Sequence, residues 1–137
     1  MHSKMKGNIG QFGTSLHLSK LGYSIFTEEG DVSKIDLIAE KGGKFLTFQC
    51  KAITPVNGKL PLKLGKSGPN YQFKYSEGMF DFFAVYDLVS DKLYLVHNSI
   101  LKDRSSDFVL RLSKTKNSQV IGVNFAENYL AERVLRD

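Results

Sequence analysis

The sequence predicts an α/β domain in which a mixed β-sheet is flanked by helices. Three observations lead there. An apolar repeat of helical spacing lies near the N-terminus. Two pairs of short apolar runs follow, each joined by a turn signal. A long lysine-rich segment separates the pairs and serves as a crossover between them.

The helix is predicted over residues 4–21. Met5, Ile9, Phe12 and Leu16 recur at three- and four-residue spacing and read as one buried stripe. Gly7, Gly10 and Gly13 lower its intrinsic helicity but let its backbone approach a neighbour. Gly22 is the predicted stop. Residues 23–27 make a short strand, and Glu28-Glu29-Gly30-Asp31 a turn. Residues 34–52 read as a hairpin about Gly42-Gly43, because two-residue loops of this kind need the positive φ that glycine adopts freely. Residues 55–70 hold all 3 prolines of the chain and read as a long loop. A second hairpin joins residues 82–88 to 93–96. Residues 108–112 alternate like a half-buried strand, 113–119 form a polar turn, and 120–124 a last strand. Asn124 and Glu127 have the spacing of a capping box for a closing helix over 125–135. One domain is expected over 1–137, with roughly 100–137 as a C-terminal extension of it.

Composition narrows the function classes. No apolar run approaches the ~20 residues that span a bilayer, and the N-terminus lacks the apolar core of a signal peptide. A single cysteine excludes an internal disulfide and a cysteine-rich zinc module, and it suits a reducing, cytoplasmic location. Net charge is +5. From Lys41 to Ser76 there are 7 lysines and no Asp or Glu, a local positive field suited to a polyanion or simply to solubility. His2, His17 and His97 lack a Ser or Cys partner at useful spacing and read as structural.

The diglycine hairpin organises the candidate site. If Lys41 pairs with Lys44, Asp36 falls opposite Gln49, and both project from one face. Lys51, two residues on, projects from it too. Ile35, Leu37, Ala39, Leu46, Phe48 and Cys50 occupy the core face. From geometry alone, Asp36, Gln49 and Lys51 are either a catalytic cluster or a polar sheet face with a cross-strand ion pair.

The pattern Ile35-Asp36 … Gln49-Cys50-Lys51, after an N-terminal helix, resembles the signature of the PD-(D/E)-xK nucleases. Residues 74–96 extend the likeness to the homing endonucleases encoded in group I introns, so that it covers 6 to about 100. The resemblance implies a restriction-endonuclease-like core and a Mg²⁺-dependent, sequence-specific DNA endonuclease that makes double-strand breaks, with Mn²⁺ or Ca²⁺ as other cations. It implies catalytic roles for Gln11, Asp36, Gln49 and Lys51. It also implies metal ligation by Asp36, the Gln49 amide oxygen and the Cys50 carbonyl. Gln11 stands where the family often has a glutamate after a Gly-x-x-Gly motif, which suggests an inactivated Glu-to-Gln variant.

Lys59, Lys63, Lys66 and Lys74 are candidate phosphate contacts. Asn70 and Gln72, with Asn57, Arg104, Arg111, Asn117 and Gln119, are candidate base readers. The expected partners are double-stranded DNA and further copies of the chain, as a homodimer or homotetramer joined through Tyr129, Leu130 and Val134. The alternatives are a Holliday junction resolvase, a DNA-binding module whose nuclease site has decayed and, more weakly, RNA binding.

Overall fold

The structure is a computed structural model that describes residues 1–102, 107–113 and 120–136. Helix α1 runs over Ser3–Lys20. The strands are β1 Ser24–Phe26, β2 Leu37–Lys41, β3 Lys44–Ile53, β4 Lys59–Leu62, β5 Gly65–Gly68, β6 Tyr71–Lys74, β7 Phe82–Asp87, β8 Leu93–His97 and β9 Phe108–Arg111; a short helix α2, Ala131–Val134, ends the chain. Five strands form one sheet in the order β1-β2-β3-β7-β8. β3 and β7 run parallel and the other neighbours antiparallel, so the sheet is mixed, as expected. β4 pairs with β9, and β5 with β6, in two-stranded sheets.

The two faces carry different layers. On one, α1 and α2 cover Leu37, Ala39, Phe48, Ala84, Leu93 and Leu95. On the other, Leu60, Leu62, Phe108 and Leu110 of β4 and β9 pack over Phe83, Val85, Tyr94 and Val96. Phe48, Phe83 and Leu37 are fully buried, and removing such side chains from water stabilises the fold by roughly 1.5–3 kcal/mol each.

The diglycine hairpin forms in the expected register. Gly42 and Gly43 take φ of 61° and 84°, Lys41 pairs with Lys44, and Leu37 pairs with Phe48. Gly22, at φ 94°, follows the end of α1.

Five expectations need correction. Met5, Phe12 and Leu16 are exposed rather than buried, while Gly10, Gly13, Thr14 and Leu18 face the sheet. Close approach decided the face of α1, and close approach selects small residues. The predicted loop over 55–70 instead contains β4, β5 and the turn into β6; Pro61 is tolerated because β4 has only one partner. Residues 120–124 form no strand. The closing helix is broken at Leu130, whose extended backbone (φ −54°, ψ 137°) separates a 3-10 turn, Ala126–Tyr129, from α2. The capping box does not form: the N-cap of the 3-10 turn is Phe125, with no side-chain cap bond, and the Asn124 side chain donates instead to the Val109 carbonyl (3.4 Å).

Candidate active site and nucleic-acid interface

Asp36 sits one residue ahead of β2. Its N–H donates to the Phe48 carbonyl (2.8 Å), which turns its side chain towards the adjoining part of β3. Oδ2 accepts from Gln49 Nε2 (2.6 Å) and from the Cys50 N–H (2.7 Å). Oδ1 accepts no hydrogen bond from the described residues, and no Lys or Arg among them lies within ion-pair distance of the carboxylate. Burial pushes Asp36 above the ordinary carboxylate range, against the pull of the Cys50 N–H and of the Lys51 charge. Gln49 is only 9% exposed, so its amide is committed to this cluster.

Gln11 reaches the cluster from α1, where Nε2 donates to the Asp36 main-chain carbonyl (3.2 Å). The glycine-rich face of α1 makes that reach possible: a Cβ on Gly10 would stand 2.8 Å from the Ala52 Cβ. Cys50 turns its side chain to the opposite, helix-covered face, and burial pushes its thiol up to about 12. A thiol so held is unreactive. Because a strand residue's N–H and C=O point to the same neighbour, its carbonyl lies on the edge of β3 that meets Asp36.

Lys51 shares the face but does not touch Asp36. Its Nζ donates to the Tyr75 hydroxyl (2.7 Å) and lies 4.9 Å from the centre of that ring. Burial holds Lys51 below the ordinary lysine range, with the Asp36 charge opposing the shift. Sequence reasoning missed Tyr75 and Lys34. Lys34 lies over the Phe73 ring (4.6 Å), and its charge is felt at Asp36, Lys51 and Tyr75. Both residues stand inside stretches that the sequence singles out, 34–52 and 74–96, but no periodic pattern distinguishes them.

The donor set fits a hard divalent cation, though sparely. Among the described residues no three His, Cys, Asp or Glu side chains lie together. One carboxylate with a free oxygen, an amide and a main-chain carbonyl remain. Mg²⁺ accepts so few protein ligands because it keeps several waters and shares the substrate's phosphate.

Beside this cluster, β5 and β6 form a ribbon whose register pairs Gly65 with Lys74, Ser67 with Gln72 and Lys66 with Phe73. Alternation puts Ser67, Gln72 and Lys74 on one face, all exposed. Asn70 is exposed in the connecting turn. A cavity of about 550 Å³ at the ribbon is lined by Lys63, Lys66, Gln72, Phe73, Lys74 and Asp107; Lys63 is held by Asp107 (3.0 Å). Lys59 lies apart, paired with Arg111 across β4 and β9. Asn57 serves a tight turn at φ 50°, and the Arg111 Nε donates to the Ser113 carbonyl (3.0 Å). Arg104, Asn117 and Gln119 lie outside the described residues. The three histidines make backbone-directed contacts: His2 with Lys4, His97 with Ser99 and His17 with Asp91.

The C-terminal surface expected to join subunits is used within the chain. Tyr129 and Leu130 pack on the core around β4 and β9, and Val134, within α2, packs on the core of the helix-covered face. No helix among the described residues is long and apolar enough to cross a membrane.

A family model described as PD-(D/E)XK endonuclease matches residues 1–132. No curated protein matches the chain. A solved structure of a bacterial homing endonuclease, I-Ssp6803I, superposes with a TM-score of 0.74 at 20% identity, over 95% of this chain and 89% of that one. At that identity the likeness speaks for the fold.

Proposed function

Because the chain belongs to the PD-(D/E)XK endonuclease family, we propose that it is a divalent-metal-dependent, sequence-specific DNA endonuclease of the homing type, acting on double-stranded DNA. The observation that carries this reading is the joined Asp36–Gln49 pair on the same sheet face as Lys51, next to an exposed basic ribbon. A polar sheet face with a cross-strand ion pair would have joined Asp36 to Lys51 instead.

Asp36 would supply the charge that holds Mg²⁺ or a similar ion, with the Gln49 oxygen and the Cys50 carbonyl completing the protein's share, and such an ion would supply polarisation of the phosphate and a more acidic water. To turn its oxygen inward, Gln49 gives up its bond to Asp36 Oδ2. The Lys51 ammonium donates to the attacking water or to a phosphate oxygen as charge develops there. Lys63, Lys66 and Lys74 neutralise backbone phosphates, while Ser67, Asn70 and Gln72 face the base edges; a two-stranded ribbon fits the major groove. Binding should weaken steeply with salt, and replacing Lys66 and Lys74 by alanine should reduce the slope of log Kd against log salt by about 2. A slope unchanged by that pair would remove the ribbon from the interface. Cys50, half-buried and without a disulfide partner, suits a reducing cytoplasm.

Cutting two strands takes two such sites, hence at least two copies. The apolar face left open by Met5, Phe12 and Leu16 on α1 suits self-association. Sedimentation of the DNA complex reads the copy number.

The test is cleavage with Mg²⁺ or Mn²⁺ of a randomised duplex library and of a four-way junction, using this chain beside Gln11→Glu. The side chain of residue 11 already reaches Asp36, so a glutamate there adds a second carboxylate to the cation's surroundings. Gln11→Glu should cleave at least about tenfold faster. Equal rates would deny position 11 its role, and no cleavage by either protein would leave a DNA-binding module. Preference for the junction would mark a resolvase.

A further inference from the structure

Tyr75 joins two parts of the molecule that the nuclease reading uses separately. Its N–H donates to the Leu64 carbonyl (3.1 Å), extending the β5–β6 ladder by one step. Its ring meets Phe73, Phe80 and Phe83 edge-on, at 5.0, 5.6 and 5.4 Å between centres. Phe80 and Phe83 belong to the core, and Phe73 belongs to the ribbon. Only 4% of the residue is exposed, so its single polar atom has to find a partner within the protein. That partner is Lys51 Nζ. A lysine side chain is flexible and its ammonium is otherwise free to take many positions. Here the ammonium is fixed by the hydroxyl, and the ring behind the hydroxyl is fixed by three others.

We propose that Tyr75 is the positioning residue for Lys51: its hydroxyl fixes the ammonium on the active face, and its ring ties that ammonium to the seat of the DNA-gripping ribbon. The proposal rests on the nuclease reading and adds to it a residue outside the family motif. DNA held by the ribbon and the phosphate under attack are then presented to one rigid unit, and misplacing a reacting group by about an ångström can cost on the order of 100-fold in rate.

Tyr75→Phe keeps all three ring contacts and removes one oxygen. With Mg²⁺ and saturating DNA, it should lower kcat roughly 10-fold while leaving KM and the salt dependence of binding unchanged. In a Lys51→Ala background the same change should have no further effect, because the lysine it positions is gone. A fall in kcat that is the same in both backgrounds, or no fall in either, would overturn the proposal and leave the nuclease reading standing. Accessibility of Lys51 supplies a readout independent of cleavage. Acetylation of Lys51 by a small reagent, followed by mass spectrometry, should speed up about threefold or more in Tyr75→Phe, since roughly one hydrogen bond restrains it. If the parent chain and Gln11→Glu both fail to cleave DNA, the nuclease reading falls, and the acetylation ratio decides the positioning by itself. A faster ratio upholds it and an unchanged ratio rejects it.

Discussion

Asp36→Asn should lower metal-dependent cleavage by about 10³-fold or more while leaving the protein as stable as before or more stable. The two halves of that result come from one side chain. Asp36 is the only carboxylate of the cluster, since residues 11 and 49 are both glutamine. Asparagine keeps the size and can still accept from the Cys50 N–H, but it carries no charge. Its one oxygen, in the place of Oδ2, can accept from Gln49 Nε2 as well, so the hydrogen bonds survive and only the charge is lost. Stability moves the other way. Burial raises Asp36 above its unfolded value. An acid so shifted favours the fold while it is protonated, below its unfolded pKa, and that contribution is lost as pH rises through the folded pKa. At neutral pH the ionised group therefore works against the fold, and removing the charge relieves it. A residue that costs stability at neutral pH is expected where charge is kept for function. Thermal unfolding and cleavage of the same preparations check both halves. Cleavage within about tenfold of the parent would move the active centre away from Asp36.

The parts of the fold legible in the sequence were those decided locally. Two adjacent glycines require a primed turn, the turn sets the register, and the register brings Asp36 and Gln49 together thirteen residues apart. Even there the ladder stops at Leu37, and the contact is completed by side chains and by the Cys50 N–H. Lys51 was placed on the correct face, but its partner was not foreseen, because Tyr75 reaches it across the crossover, through contacts that no spacing rule encodes. The ribbon was hidden by its own composition. Gly65, Gly68, Pro69 and Asn70 read as loop, yet the two glycines are the end residues of β5 and the other two form a tight turn into β6. The tail misled in the opposite sense. Phe125 and Tyr129 have helical spacing, but Leu130 leaves the helical path to bridge Tyr94 and bury its side chain. The same competition between local pattern and tertiary contact governs α1, where the largest apolar residues lie outside and the smallest inside.

That inversion has a direct consequence for stability, and Gly13→Leu should destabilise the protein by at least about 3 kcal/mol or prevent folding. A Cβ at position 13 would overlap the ring of Tyr86, which is itself held by its hydroxyl to Asp91 (2.8 Å) and cannot swing away freely. Leucine is the better helix former by roughly 1 kcal/mol, so intrinsic propensity alone predicts a gain. The overlap outweighs it, because α1 can admit the side chain only by lifting from the sheet. Lifting also uncovers Leu18 and draws Gln11 away from Asp36, so cleavage should fall with stability. Gly7 is the internal control. It lies on the same helix with nothing within 4 Å of its added Cβ, and Gly7→Ala should stabilise by about 1 kcal/mol. Urea unfolding of the two variants separates the effects, since both remove a helical glycine and only one meets the sheet. If Gly13→Leu unfolds within about 1 kcal/mol of the parent, close backbone approach is not what seats the helix, and the path by which residue 11 reaches the active face is wrong with it.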